Sequence, residues 1–132
     1  MHPDFTRYSL ALIENDQIVY SSRESGLRPL WLCLQKYLGG GEKFILFDKV
    51  IGLAAARLVA HAQIISRIET SLASDPAKKF LEENNIPLEA QQIVSSILTK
   101  DHKATCPGEI IALNSATTVE FLKKIEAMLN RH

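Results

Sequence analysis

Three short segments of this 132-residue chain hold residue types from which a chemical site can be built. The first is Phe47-Asp48-Lys49-Val50-Ile51-Gly52, where an acid and a cation precede a long apolar run. If Asp48 is the N-cap of a helix, free backbone N–H groups and a positive dipole end lie beside it, and the Lys49 ammonium then suits a phosphate or carboxylate. An Asp48/Lys49 acid–base pair is the catalytic version, because burial beside an opposite charge moves pKa values. The plain alternative is a capping aspartate followed by a surface lysine. The second segment, Ser21-Ser22-Arg23-Glu24-Ser25-Gly26-Leu27-Arg28-Pro29, offers hydroxyls and a glycine before a helix start. The third is Thr105-Cys106-Pro107-Gly108-Glu109. A cysteine before a first-turn proline sits where a helix dipole favours thiolate, so Cys106 is a nucleophile, a metal ligand, a redox-sensitive thiol or a small half-buried residue. Glu109 is an acid, a base or an ordinary first-turn carboxylate. Ser21, Ser22, Gly26, Lys49, Gly52 and Glu109 form the candidate ligand set, with Cys106, Asp48 and Lys49 the candidate catalytic residues.

The elements that position these segments follow from periodicity. Tyr8 to Ile13 and Gln17 to Ser21 read as a hairpin across Asn15-Asp16, two residues that tolerate positive φ. Leu30, Cys33, Leu34, Tyr37 and Leu38 make one helical stripe, opened by Pro29 and ended at Gly39-Gly40-Gly41. Lys43 to Phe47 is a short strand, and Val50 to Ala62 an apolar helix capped by Asp48 and buried on most sides. Gln63 to Thr70 is the next strand. Asp75 as a cap, followed by Pro76 in the first turn, opens a helix that ends at Asn84-Asn85, and Leu88 to Leu98 holds a strand centred on Gln92 to Leu98. Thr117-x-x-Glu120 is a capping box for a last helix that buries Val119, Leu122, Ile125, Met128 and Leu129. Strands alternating with crossover helices give a parallel sheet, and the hairpin adds an antiparallel member. In such sheets, ligands collect beyond the carboxyl ends of the strands.

Composition narrows the partners. With 15 basic and 15 acidic residues and 46% hydrophobic residues, the chain is neither disordered nor a polyanion binder, and it reads as one domain over residues 1–132. Two cysteines, Cys33 and Cys106, are too few for a disulfide framework or a cysteine-built zinc site. The low-charge stretch Val50 to Ile65 is too short and too punctuated for a membrane span. A cytoplasmic protein that meets neither nucleic acid nor membrane is expected. The four histidines form no H-x-E or H-E-x-x-H motif, C-x-x-C is absent, and no metal or cofactor is expected.

Taken together, Tyr20-Ser21-Ser22, Gly26, Asp48-Lys49-Val50-Ile51-Gly52 with its alanine run, and Cys106-Pro107-Gly108-Glu109 resemble a small prokaryotic family of domains of unknown function. This is the Thermotoga-type family, grouped in the cytidine-deaminase-like superfamily. The resemblance covers nearly the whole chain in order. It implies a three-layer α/β/α sandwich around a five-stranded mixed sheet. It does not bring zinc-dependent deamination with it, since that chemistry needs H-x-E or C-x-E and P-C-x-x-C at two helix starts, and the segments Ser25 to Pro29 and Asp48 to Gly52 hold neither. The Cys-Pro-Gly-Glu box departs from the family pattern, which has a larger residue before the glutamate.

Three functions compete. The first is a protein that binds a small anionic metabolite or nucleotide in a deaminase-type pocket without zinc. The second is a metal-independent enzyme that uses Cys106 or Asp48/Lys49. The third is a non-catalytic regulatory module, a homodimer joined through its C-terminal helix or hairpin edge.

Overall fold

The computed structural model describes residues 6–24, 26–41, 43–97 and 107–130. The hairpin forms as the sequence predicts. Strand β1 (Leu10–Glu14) and strand β2 (Gln17–Ser22) are joined by Asn15 and Asp16 at φ 51° and 65°, the geometry that asparagine and aspartate accept. Helix α1 (Arg28–Tyr37) carries Pro29 in its first turn and buries Leu30, Cys33 and Leu34. Next come β3 (Phe44–Ile51), α2 (Leu53–Ala62), β4 (Ile65–Ser74), α3 (Asp75–Glu83), β5 (Leu88–Val94), α4 (Pro107–Asn114) and α5 (Thr118–Leu129).

The sheet order is β2-β1-β3-β4-β5. Strand β1 is antiparallel to both neighbours, while β3, β4 and β5 run parallel. This is the expected α/β class with a five-stranded mixed sheet, and the five helices among the described residues are consistent with a three-layer sandwich. Helices α1, α2 and α3 pack against the sheet, and α4 and α5 pack against α2. One large core joins Leu12, Phe44, Leu46 and Ile68 of the sheet to the alanines of α2 and to Phe121 and Ile125 of α5. A smaller cluster of Ala11, Ile13 and Phe47 lies apart from it. Arg57 of α2 holds α4 and α5 in place. Its guanidinium donates to the carbonyls of Ala112, Ser115 and Thr117 and stacks 4.4 Å from the Phe121 ring centroid.

Several boundaries differ from the sequence reading. Strand β3 continues through Lys49, Val50 and Ile51, because β-branched residues suit the extended backbone that pairs with β4 as far as Ile51↔Ala73. Asp48 is therefore a strand residue and not an N-cap. The cap of α3 is Ser74, whose hydroxyl accepts from the Ala77 N–H at 3.2 Å, one residue before the expected Asp75. Strand β4 starts after Gln63, which ends α2 in the left-handed region at φ 56°, and runs on to Ser74. Strand β5 occupies Leu88–Val94, earlier than the Gln92 to Leu98 centre. Helix α4 is an element beyond the predicted order, whereas Thr117 caps α5 as predicted, its Oγ1 accepting from Glu120 N–H while Glu120 accepts from Ala116 N–H one residue before the cap. The buried face of α5 is Phe121, Ile125 and Leu129, and Val119, expected inside, is 64% exposed.

Candidate functional site

The strand placement of Asp48 and Lys49 separates them. Successive side chains on a strand point to opposite faces, so neighbours in sequence cannot meet. Asp48 follows Phe44 and Leu46 into the large core and is buried, whereas Lys49 follows Phe47 to the other face and is exposed. The expected acid–base pair does not form, for this reason of alternation.

Asp48 lies between Leu10 of β1 and the buried Thr70 of β4. Loss of hydration raises its pKa to about 8, against the opposing pull of the Val50 and Lys49 N–H groups. The acid is therefore mostly protonated at neutral pH. Burial likewise pushes the Cys33 thiol up to about 12, with the Asp48 carboxyl adding to the rise. Cys33 is a core residue, as its place on the α1 stripe predicts, and its thiol stays protonated.

The N-terminus of α2 is already filled. Gly52 caps the helix in extended conformation and has no side chain to offer. The carboxylate of Glu109, from α4, takes that role across the fold. Leu53 N–H donates to Oε2 at 2.7 Å and Ala54 N–H donates to Oε1 at 2.8 Å. A Cβ on Gly52 would stand 2.5 Å from the carboxylate, so only glycine leaves room for it. The candidate roles of Gly52 and Glu109 in holding an outside ligand are thus corrected. The positive helix end that would attract an anion holds one from the chain itself, and Glu109 is 5% exposed.

The remaining candidates disperse. Ser21 is an exposed residue of β2 opposite Ala11. Ser22 spends its oxygens locally: its hydroxyl accepts from Glu24 N–H at 3.1 Å and its carbonyl accepts from the Ser9 hydroxyl at 3.1 Å. Gly26 turns the chain into α1 at φ 91°, a left-handed conformation that favours glycine. Arg28 donates to the carbonyl of Leu129 at the end of α5. Cys106 and Ser25 lie outside the described residues.

Lys49 instead joins a constellation that its own segment does not announce. Its N–H donates to the Ser9 carbonyl at 2.8 Å, and the Ser9 N–H donates to the Ser22 carbonyl at 2.8 Å. Since Leu10 pairs with both Ser22 and Asp48, the next row outward places Ser9 between Arg23 and Lys49. These residues, with Thr6, Arg7 and Tyr8, line a cleft of about 250 Å³. It sits where β2 and β3 end, at the carboxyl edge of the parallel strands. The Arg7 guanidinium lies 5.8 Å from the Tyr8 ring centroid. Among the described residues, no carboxylate forms an ion pair with Arg7, Arg23 or Lys49. Such a cleft presents three cations to a small anion, while the Ser9 hydroxyl that lines it is already committed, donating to the Ser22 and Glu24 carbonyls. Sequence spacing does not point to Arg7, Tyr8 and Ser9, and holds Arg23 only within the segment 21–29, because these residues meet Lys49 only through the pairing register. Among the described residues no group of three histidines, cysteines, aspartates or glutamates is placed to hold a metal ion, and no helix is long and apolar enough to cross a membrane.

The fold has a solved counterpart. A crystal structure of a DUF1893 family protein, TM1506, from Thermotoga maritima superposes with a TM-score of 0.82 at 24% identity, covering 93% of this chain and 82% of that one. No curated protein matches the chain. The profile of the TM1506 domain of unknown function, DUF1893, matches residues 4–129. The chain belongs to the DUF1893 family.

Proposed function

We propose that this protein binds a small anionic metabolite, one carrying a phosphate or a nucleotide's phosphates, in the cleft between Arg7, Arg23 and Lys49. The observation that carries this reading is the convergence of three cations without carboxylate partners among the described residues. Like charges held together repel one another, and an anion entering between them removes that repulsion while gaining charge-assisted hydrogen bonds. The contrast with Glu109 supports the reading, since the other positive feature of this sheet end is neutralised from within. The five-stranded mixed sheet is also what a cytidine-deaminase-like grouping implies, and in this reading the sheet serves as a binding scaffold without zinc chemistry.

The test is a thermal-shift series with inorganic phosphate, nucleoside phosphates and sugar phosphates on wild type, Arg23→Ala and Lys49→Ala. A ligand at about a hundred times its dissociation constant stabilises by roughly 2.7 kcal/mol, several degrees in a domain of this size. The expected result is a shift in wild type that shrinks in both variants and fades with added salt. Equal shifts in all three proteins, or none with any anion, would remove the cleft from consideration.

A further inference from the structure

The two outer strands of the sheet are protected very differently. Strand β2 slips register against β1 between Leu12 and Ile13, and its Val19 carbonyl accepts a hydrogen bond from the Tyr37 hydroxyl at 3.0 Å. A bulge and an occupied carbonyl are ways of closing an edge to further pairing. Among the described residues, strand β5 has neither. It keeps unbroken register with β4 from Ile68↔Leu88 to Ser74↔Val94, and Leu88–Val94 contains no proline or lysine. Ile93 on this strand is 38% exposed. Every second residue of such an edge turns its N–H and C=O outward, ready for another strand.

Beside that edge runs a groove of about 500 Å³, with Lys78 and Glu82 of α3 on one wall and Ile86, Pro87, Leu88 and Ile93 among the others. Lys78 and Glu82 are one helical turn apart, both exposed, and form no ion pair with each other. We propose that the β5 edge and the adjoining face of α3 are the interface with a second copy of this chain, joined about a two-fold axis. A two-fold axis normal to the sheet makes β5 antiparallel to its mate and α3 antiparallel to its mate. Lys78 of each copy then faces Glu82 of the other, and the two groove walls of Ile86, Leu88 and Ile93 close on one another. The charge pattern is self-complementary only in this antiparallel arrangement. A parallel approach sets lysine against lysine. This interface is on the opposite edge from the anion cleft and does not depend on it.

The experiment is light scattering and sedimentation equilibrium on the full chain, whose monomer mass is 14.7 kDa. Wild type is expected at twice that mass. Glu82→Lys and Lys78→Glu each place like charges across the axis and should weaken self-association by about tenfold or more. An equimolar mixture of the two variants brings a doubly basic face to a doubly acidic one and should return to the dimer mass. Ile93→Lys on the strand edge should give monomer in either background, with far-ultraviolet circular dichroism confirming that the variants fold. A wild-type monomer at high micromolar concentration overturns the proposal. So does a dimer indifferent to both charge reversals, or a mixture that stays monomeric.

Discussion

The N-terminus of α2 and the Arg7–Arg23–Lys49 cleft lie at the same end of the sheet, and both concentrate positive potential, yet the fold treats them in opposite ways. At α2 the chain supplies its own anion: Glu109 arrives from α4, meets two N–H groups at 2.7 and 2.8 Å and is sealed from water. At the cleft, three side-chain cations stand exposed with no carboxylate paired to them among the described residues. The first arrangement contributes to folding, because its partners are always present at fixed geometry. The second costs some stability through self-repulsion, which is what a site meant for a diffusing anion would tolerate. A positive helix end is thus no sign of a ligand site until its occupant has been looked for.

That contrast can be broken most severely at Gly52. Gly52→Ala drives a methyl into the Glu109 carboxylate and leaves the Leu53 and Ala54 N–H groups without acceptors, so a loss of about 3 kcal/mol or more is expected in urea unfolding. Glu109→Gln keeps the shape but exchanges one acceptor oxygen for an NH₂ and removes the charge facing the helix dipole. We expect it to cost about 1–2 kcal/mol, and addition of phosphate should not restore the loss. Recovery with phosphate would mean that the helix end is open to outside anions after all.

Asp48 sharpens the comparison from the core side. Its pKa stands at about 8 in the fold and near the ordinary carboxylate value in the unfolded chain. Between about pH 4 and pH 8 the unfolded state gives up this proton while the folded state keeps it, so the Asp48 contribution to stability declines as pH rises through that window and levels off above it. Asp48→Asn removes the slope and should raise the melting temperature at pH 8 while changing little at pH 4. A variant whose pH profile parallels wild type would show that the carboxyl is not buried as described. The smallest effect on stability is expected at the cleft. Lys49→Ala and Arg23→Ala should stay within about 0.5 kcal/mol of wild type or be slightly stabilised, while anion affinity falls about tenfold.

Much of the scaffold is legible in the sequence because its causes are local. The Asn15-Asp16 turn, the α1 stripe with its Cys33, the Pro76 helix start and the Thr117 cap each depend on residues within a few positions of one another, and all four elements form. The misread boundary at Asp48 shows the limit. An acid before an apolar run fits an N-cap, but pairing with β1 and β4 on both sides holds residues 48–51 extended, a tertiary cause that overrides the local pattern. The candidate site suffers the same way. Lys49 is named by its segment, while Arg7, Ser9 and Arg23 reach it only through hydrogen-bonding register across three strands. The capping role of Glu109 is hidden by a separation of 56 residues. One signal does exist in the chain: an apolar helix behind a glycine with no side-chain cap needs an acceptor from elsewhere, and Pro107-Gly108-Glu109 offers a carboxylate in the first turn of a helix.

That separation also sets a timetable for synthesis. Ribosomes add about 5–20 residues per second, so the 56 positions from Leu53 to Glu109 take roughly 3–11 s to appear. Throughout that interval the emerging α2 has an uncapped N-terminus and an alanine-rich surface still waiting for α4 and α5. A nascent chain halted in this window is the form of the protein with most reason to meet a chaperone, and the arrival of α4 and α5 is what ends the exposure.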